Sequence, residues 1–148
     1  MRYGKSLVLE ATMDSNVFSA TSGRPHALQR ALVENRFLVV GLCAAWCGTC
    51  TEFRSGFNEL ADARRDATFV WLDIEDDAEI AGDIDVENFP TIAIFNDGRL
   101  LHYGVSVPHA SIVARLLAAL NDQSRTIPAE PAVVGLPERL TRQSVSRR

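Results

Sequence analysis

Charge-free apolar runs alternate along this chain with segments whose apolar residues recur every three or four positions. The longest run, FLVVGLCAA (37–45), holds nine residues without a charge. At that length and with its valine content it suits a strand buried on both faces. Directly after it, CTEFRSGFNELADARR (50–65) places Phe53, Phe57, Leu60 and Ala61 on one helical face, interrupted only by Gly56. Upstream, SLVLEA (6–11) reads as a short strand. PHALQRALVENR (25–36) spaces Ala27, Leu28, Ala31 and Leu32 helically behind an N-terminal proline.

Downstream, ATFVWLDI (67–74) is a second apolar strand and AEIAGDI (78–84) a short helix or turn. TIAIF (91–95) and LLHYG (100–104) read as two strands joined by a tight turn, because Asp-Gly tolerates the positive φ that hairpin turns require. PHASIVARLLAAL (108–120) closes the pattern as a helix, with Ile112, Leu116, Leu117 and Leu120 on one side. The order β-α-β-α-β-(α)-β-β-α is that of an α/β domain covering residues 1–120. Residues 121–148 change character, with three prolines, scattered Arg and Ser, and no sustained period. They are expected to form a mobile tail in which only AVVGL (132–136) docks. No internal repeat is visible.

Composition narrows the functional classes. A chain of 148 residues, 47% apolar and 23% charged, is one ordinary globular domain, not a multi-domain enzyme. The net charge of −4 combines a net −6 in residues 1–120 with +2 beyond. Neither part carries the dense basic stripe that phosphate-backbone binding needs, so no nucleic-acid partner is expected. The run Asp73 to Glu87 holds eight carboxylates and no base, and reads as a solvated loop and short helix. The first residues lack a signal-peptide core and no stretch approaches the roughly 20 apolar residues of a membrane span. The expected address is therefore the cytoplasm, with no membrane partner. There, cysteines are more often catalytic thiols or metal ligands than structural disulfides.

The three cysteines fall together in CAAWCGTC (43–50), at the junction between a buried strand and an amphipathic helix. Read as Cys-x3-Cys-x2-Cys, the stretch is a cluster-binding clip; read as Trp-Cys-Gly-Thr-Cys, it is a dithiol with Cys43 as a bystander. A zinc half-site would need partners from Cys43, His26, His102 and His109, none of which offers a second paired spacing. The clip reading places a ligand inside a buried strand. No metal and no cofactor is expected, and Cys43 reads as a small buried hydrophobe, with a role in modulating the redox behaviour as the alternative.

WCGTC (46–50), FPT (89–91) after an acidic stretch, and DG (97–98) before the last strand and helix resemble the thioredoxin family over residues 6–120. The resemblance implies a thioredoxin fold, a central mixed β-sheet flanked by helices, and a monomeric thiol-disulfide oxidoreductase. It also implies a cis proline at Pro90 beside the redox pair. Its substrate groove for an extended strand of a disulfide-bonded protein would be formed by the backbone of Phe89, Pro90 and Thr91 with Gly104.

The chemistry is consistent with that arrangement. Thiolate, not thiol, attacks a disulfide. Orphan N–H groups and the positive end of the macrodipole stabilise an anion at a helix N-terminus. Cys47 is therefore assigned as the exposed nucleophile. Cys50, one turn deeper and more buried, is the resolving thiol. Gly48 allows close approach of a substrate backbone, Trp46 supplies an apolar wall, and Thr49 stands where the family usually has proline. The buried acid usual in the family would fall at Gly41 and its neighbouring lysine at Trp71, which leaves Asp73 or Glu75, through water, as the proton relay. Electrons would come from a partner reductase or small thiols. Activity as a reductase is expected, and a binding or chaperone-like module with idle cysteines is the rival reading.

Overall fold

The computed structural model describes residues 16–21 and 23–146, so the strand expected over 6–11 lies outside the described residues. Among those described, β1 (Val17–Ser19), β2 (Phe37–Cys43), β3 (Ala67–Asp73), β4 (Thr91–Asn96) and β5 (Arg99–Val105) form one sheet in the order β1-β3-β2-β4-β5. β1, β3 and β2 run parallel, and β4 and β5 are added antiparallel. The helices are α1 (Pro25–Glu34), α2 (Gly48–Ala63), α3 (Ala78–Ala81), α4 (Ala110–Ala119), α5 (Pro131–Val134) and α6 (Leu136–Ser146).

The nine-residue apolar run forms the central strand, flanked by β3 and β4 and buried from Leu38 onward. Period-two alternation sends Leu38, Val40 and Leu42 to one face and Val39, Gly41 and Cys43 to the other. The first face is covered by α1, α3, α5 and α6 through Leu28, Ile80, Val133, Leu136 and Leu140. The second is covered by α2 and α4 through Phe53, Phe57, Leu60, Val113 and Leu117. Between β4 and β5 the turn uses positive φ at both Asp97 (53°) and Gly98 (81°), as the Asp-Gly pair led us to expect.

Two expectations are corrected. The stretch beyond residue 120 is not a mobile tail: it is ordered through Ser146 and carries α5 and α6. Asn96 donates to Asp122 at 2.9 Å, Arg99 donates to the carbonyls of Asp122 (2.8 Å) and Ser124 (2.9 Å), and the Ile127 amide donates to Leu100 O at 2.9 Å. Val133 and Leu136 of the AVVGL stretch do dock, and so do Leu140 and Ser144 one and two turns later. Arg139 clamps the end by donating to Ile80 O at 2.7 Å and Ala132 O at 2.6 Å. In α4 Val113 and Leu117 are buried and Leu116 and Leu120 pack against the same cluster, so of the expected face only Ile112, 41% exposed, turns outward. The helix crosses α2 closely at Gly56, where an added Cβ would lie 2.9 Å from that of Ala110. This contact explains the glycine that interrupts the apolar face of α2.

Candidate functional site

α2 starts directly above the end of β2. Its inward stripe is Cys50, Phe53, Phe57, Leu60 and Ala61, at helical spacing, and Cys50 is 2% exposed. Cys43 is fully buried on the face of β2 that looks at α2. The two side chains that point into the same layer are joined: Cys43 and Cys50 form a disulfide, with Cα atoms 5.9 Å apart. That separation lies within the span a bridge crosses without backbone movement. Cys47 is a free thiol of intermediate exposure. The expected reading of Cys43 as a simple buried hydrophobe is thus corrected. The Cys47/Cys50 bond implied by the resemblance is not the one present.

Cys47 is the N-cap residue of α2, with extended backbone (φ −90°, ψ 117°) and no side-chain capping bond. Its own amide donates to Ala44 O at 3.0 Å and its carbonyl accepts from the Thr51 amide at 3.2 Å, which holds the turn. Gly48 is exposed, with no atom within 4 Å of where a Cβ would stand. Thr49 is half-buried.

Trp46 is 67% exposed, and its ring meets Phe89 edge-on at 5.6 Å. Phe89 leads through a cis peptide bond into buried Pro90. Thr91 is buried between β2 and β5, opposite Leu42 and Val105, and its hydroxyl donates to Asn88 O at 2.7 Å. Gly104 lies within β5 opposite Ile92. Sequence reasoning missed the apolar rim next to it: Val105 and Val107 are 60% and 52% exposed and, with Ile112 and the half-buried His102, line a cavity of about 260 Å³. Burial pushes the His102 imidazole below its ordinary range. The available signal was the VSV stretch (105–107) at the end of β5.

Beneath the disulfide the packing is aromatic. Gly41 pairs with Trp71 across β2 and β3, and a Cβ on Gly41 would already touch Phe57 at 3.4 Å and Trp71 at 3.5 Å. The position where the family has its buried acid is therefore filled by rings, with Phe57 5.5 Å from both Phe53 and Trp71. Arg54 caps Trp71 at 4.6 Å, and desolvation lowers its pKa. Arg54, Trp71, Cys50, Thr51 and Asp73 line a cleft of about 550 Å³. Asp73 is buried there, its Oδ1 accepting from the amides of Glu75 and Asp76 at 2.9 Å, whereas Glu75 is exposed. Carboxylates of the acidic run thus act as turn caps; Asp77 accepts from Thr21 at 2.6 Å and from the Asp73 amide at 2.8 Å. No group of three or more His, Cys, Asp and Glu among the described residues could hold a metal ion.

The family model for thioredoxin matches residues 21–118. A thioredoxin H-type from Picea mariana is 30% identical over 122 residues, covering 79% of this chain and 98% of the relative. Thioredoxin-1 of Schizosaccharomyces pombe is 28% identical over 87 residues, covering 59% and 84%. Among solved structures, thioredoxin NaTrxh from Nicotiana alata superimposes with a TM-score of 0.58 at 20% identity, over 71% of this chain and 92% of that one. Oxidised mitochondrial thioredoxin 3 from Saccharomyces cerevisiae gives 0.53 at 24% identity, over 64% and 89%.

Proposed function

The chain belongs to the thioredoxin family and is a thiol-disulfide oxidoreductase; from that premise we propose that it reduces protein disulfides with Cys47 as nucleophile and Cys50 as resolving thiol. The observation that carries this reading is the division of the cysteines: Cys47 is free and partly exposed at the N-terminus of α2, and Cys50 is buried one turn behind it. The Cys47 thiolate attacks one sulfur of the substrate disulfide and the other leaves as a thiol. A mixed disulfide results. Cys50 then attacks the Cys47 sulfur and releases the second substrate thiol.

Exposed Trp46 and half-buried Phe89 are the apolar surfaces that meet the substrate segment, with Gly48 and Thr49 beside the thiolate. The backbone of Pro90, just before β4, and of Thr91 and Gly104 within the sheet completes that groove. Asp73, which lines the same cleft as Cys50, is better placed than exposed Glu75 to accept the resolving thiol's proton through water. A reductase or small thiols return the electrons. We place this activity in the cytoplasm, in a monomer; among the described residues no helix is long and apolar enough to cross a membrane.

The test is the Cys50→Ser protein mixed with a disulfide-bonded protein such as insulin. A persistent covalent adduct on Cys47 is expected. Noncovalent binding with no adduct would instead make this chain a binding module whose cysteines are idle.

A further inference from the structure

Cys50 is the shared member of two possible pairs. It is bonded to Cys43 in β2, and it lies one helical turn from Cys47. We infer that Cys43 is a third redox residue, which takes the disulfide from Cys47 after each turnover and so restores Cys47 as a free thiol while the protein is still oxidised. The inference rests on the assignment of Cys47 and Cys50 made above.

The step is an exchange that needs no outside oxidant or reductant. Once substrate reduction has left a Cys47–Cys50 bond, the Cys43 thiolate attacks Cys50 Sγ. The Cys43–Cys50 bond forms, the Cys47–Cys50 bond breaks, and Cys47 leaves as the thiolate. The proton lost from Cys43 is balanced by one available to Cys47. Overall, the substrate disulfide has become two thiols and two protein thiols have become the Cys43–Cys50 disulfide.

Solvation sets the direction. The two oxidised isomers differ in which sulfur is left free. A sulfur left free at Cys47 is half-exposed at the start of α2, where water reaches it. A thiolate at Cys43 would be a charge in a fully buried strand, on the same face of β2 as Gly41, where Phe57 and Trp71 pack. The exchange therefore moves the neutral bond into the core and the ionisable sulfur to the surface.

A consequence follows for re-reduction. Neither bonded sulfur is accessible from outside, with Cys43 at 0% and Cys50 at 2% exposure. Reducing equivalents therefore enter by Cys47, which attacks Cys50 and brings the disulfide back within reach of the donor. In the oxidised state Cys47 also remains open to small thiol oxidants, with Cys50 unable to resolve the adduct.

The sequence makes the test direct. Wild-type protein is oxidised with diamide, free thiols are blocked with N-ethylmaleimide in denaturant, and a protease that cuts after aromatic residues separates the segment ending at Trp46 from Cys47–Phe53. The expected product is a two-chain peptide joined through Cys43 and Cys50, with the label on Cys47. A single Cys47–Phe53 peptide closed on itself, with the label on Cys43, would overturn the inference.

Two variants separate this claim from the one beneath it. Oxidised Cys43→Ser is expected to have no free thiol, against one in wild type. Cys47→Ser is expected to keep its buried bond, and dithiothreitol should reduce it about tenfold or more slowly than wild type. Equal reduction rates would remove the relay. A Cys47 adduct in the Cys50→Ser protein together with a Cys47–Cys50 bond in the wild-type map would refute the relay alone. Absence of the adduct would bring down both readings.

Discussion

On one face of the sheet, α2 and α4 cover Val39, Phe69, Ile92 and Ile94, and the same layer contains Cys43, Cys50 and the ring cluster of Phe53, Phe57 and Trp71. On the opposite face, α1, α3 and the C-terminal helices cover Leu38, Val40, Leu42, Val70 and Leu72, and the buried cluster there contains no cysteine. Both faces carry fully buried side chains. They differ in that α2 begins just past the end of the central strand β2, so an inward helical position and an inward strand position each hold a sulfur. Chemistry thus needs only two or three residues of a layer whose remaining members do ordinary packing.

This contrast predicts that activity and stability can be broken separately. The largest effect belongs to Cys47→Ser, which is expected to cut disulfide reduction by at least about a hundredfold, because serine cannot attack a disulfide. Insulin reduction measures it, and the urea unfolding midpoint should stay at the wild-type value. On the opposite face, Leu140→Ala removes a fully buried side chain and is expected to cost about 2–5 kcal/mol of stability. Denaturant titration checks this, while native alkylation of Cys47 should proceed at an unchanged rate. Arg139→Ala frees the carbonyls of Ile80 and Ala132. It is expected to cost about 1–3 kcal/mol, again without touching the thiol chemistry.

The smallest effect is on the rim beside α4. Burial depresses the pKa of His102 in the folded chain. Below the ordinary histidine value of about 6.5 the unfolded chain therefore takes up a proton that the native one does not. Stability is expected to be flat above that pH and to fall gently as pH drops below it. His102→Gln should flatten the slope, as unfolding titrations between pH 5 and 8 would show.

The parts of this molecule legible in its sequence are those where one period runs long enough to be read. FLVVGLCAA and the stripe of Phe53, Phe57, Leu60 and Ala61 located β2 and α2, and Asp97-Gly98 located the hairpin. β1 is three residues long and too short to show alternation. α6 packs through Leu136, Leu140 and Ser144, a stripe with two apolar members and a proline in its first turn, so it resembled tail composition. Arg139 holds it to the carbonyls of Ile80 and Ala132, and Arg99 ties down the segment leading to it at Asp122 and Ser124; such pairings leave no local pattern.

The Cys43–Cys50 bond lies between these cases. Cys43 shares its parity with Val39, and Cys50 shares its spacing with Phe53 and Phe57, so each was separately visible as inward-facing. Their meeting depends on α2 crossing directly over the end of β2, which only the fold supplies.

The most direct test of this account is site-resolved alkylation of the fully reduced native protein by iodoacetamide at neutral pH. The exposed nucleophile should be labelled first, with Cys47 modified at least about ten times faster than Cys43 or Cys50. Comparable rates at all three cysteines, or Cys43 labelled ahead of Cys47, would contradict the assignment of Cys47 as the attacking thiol.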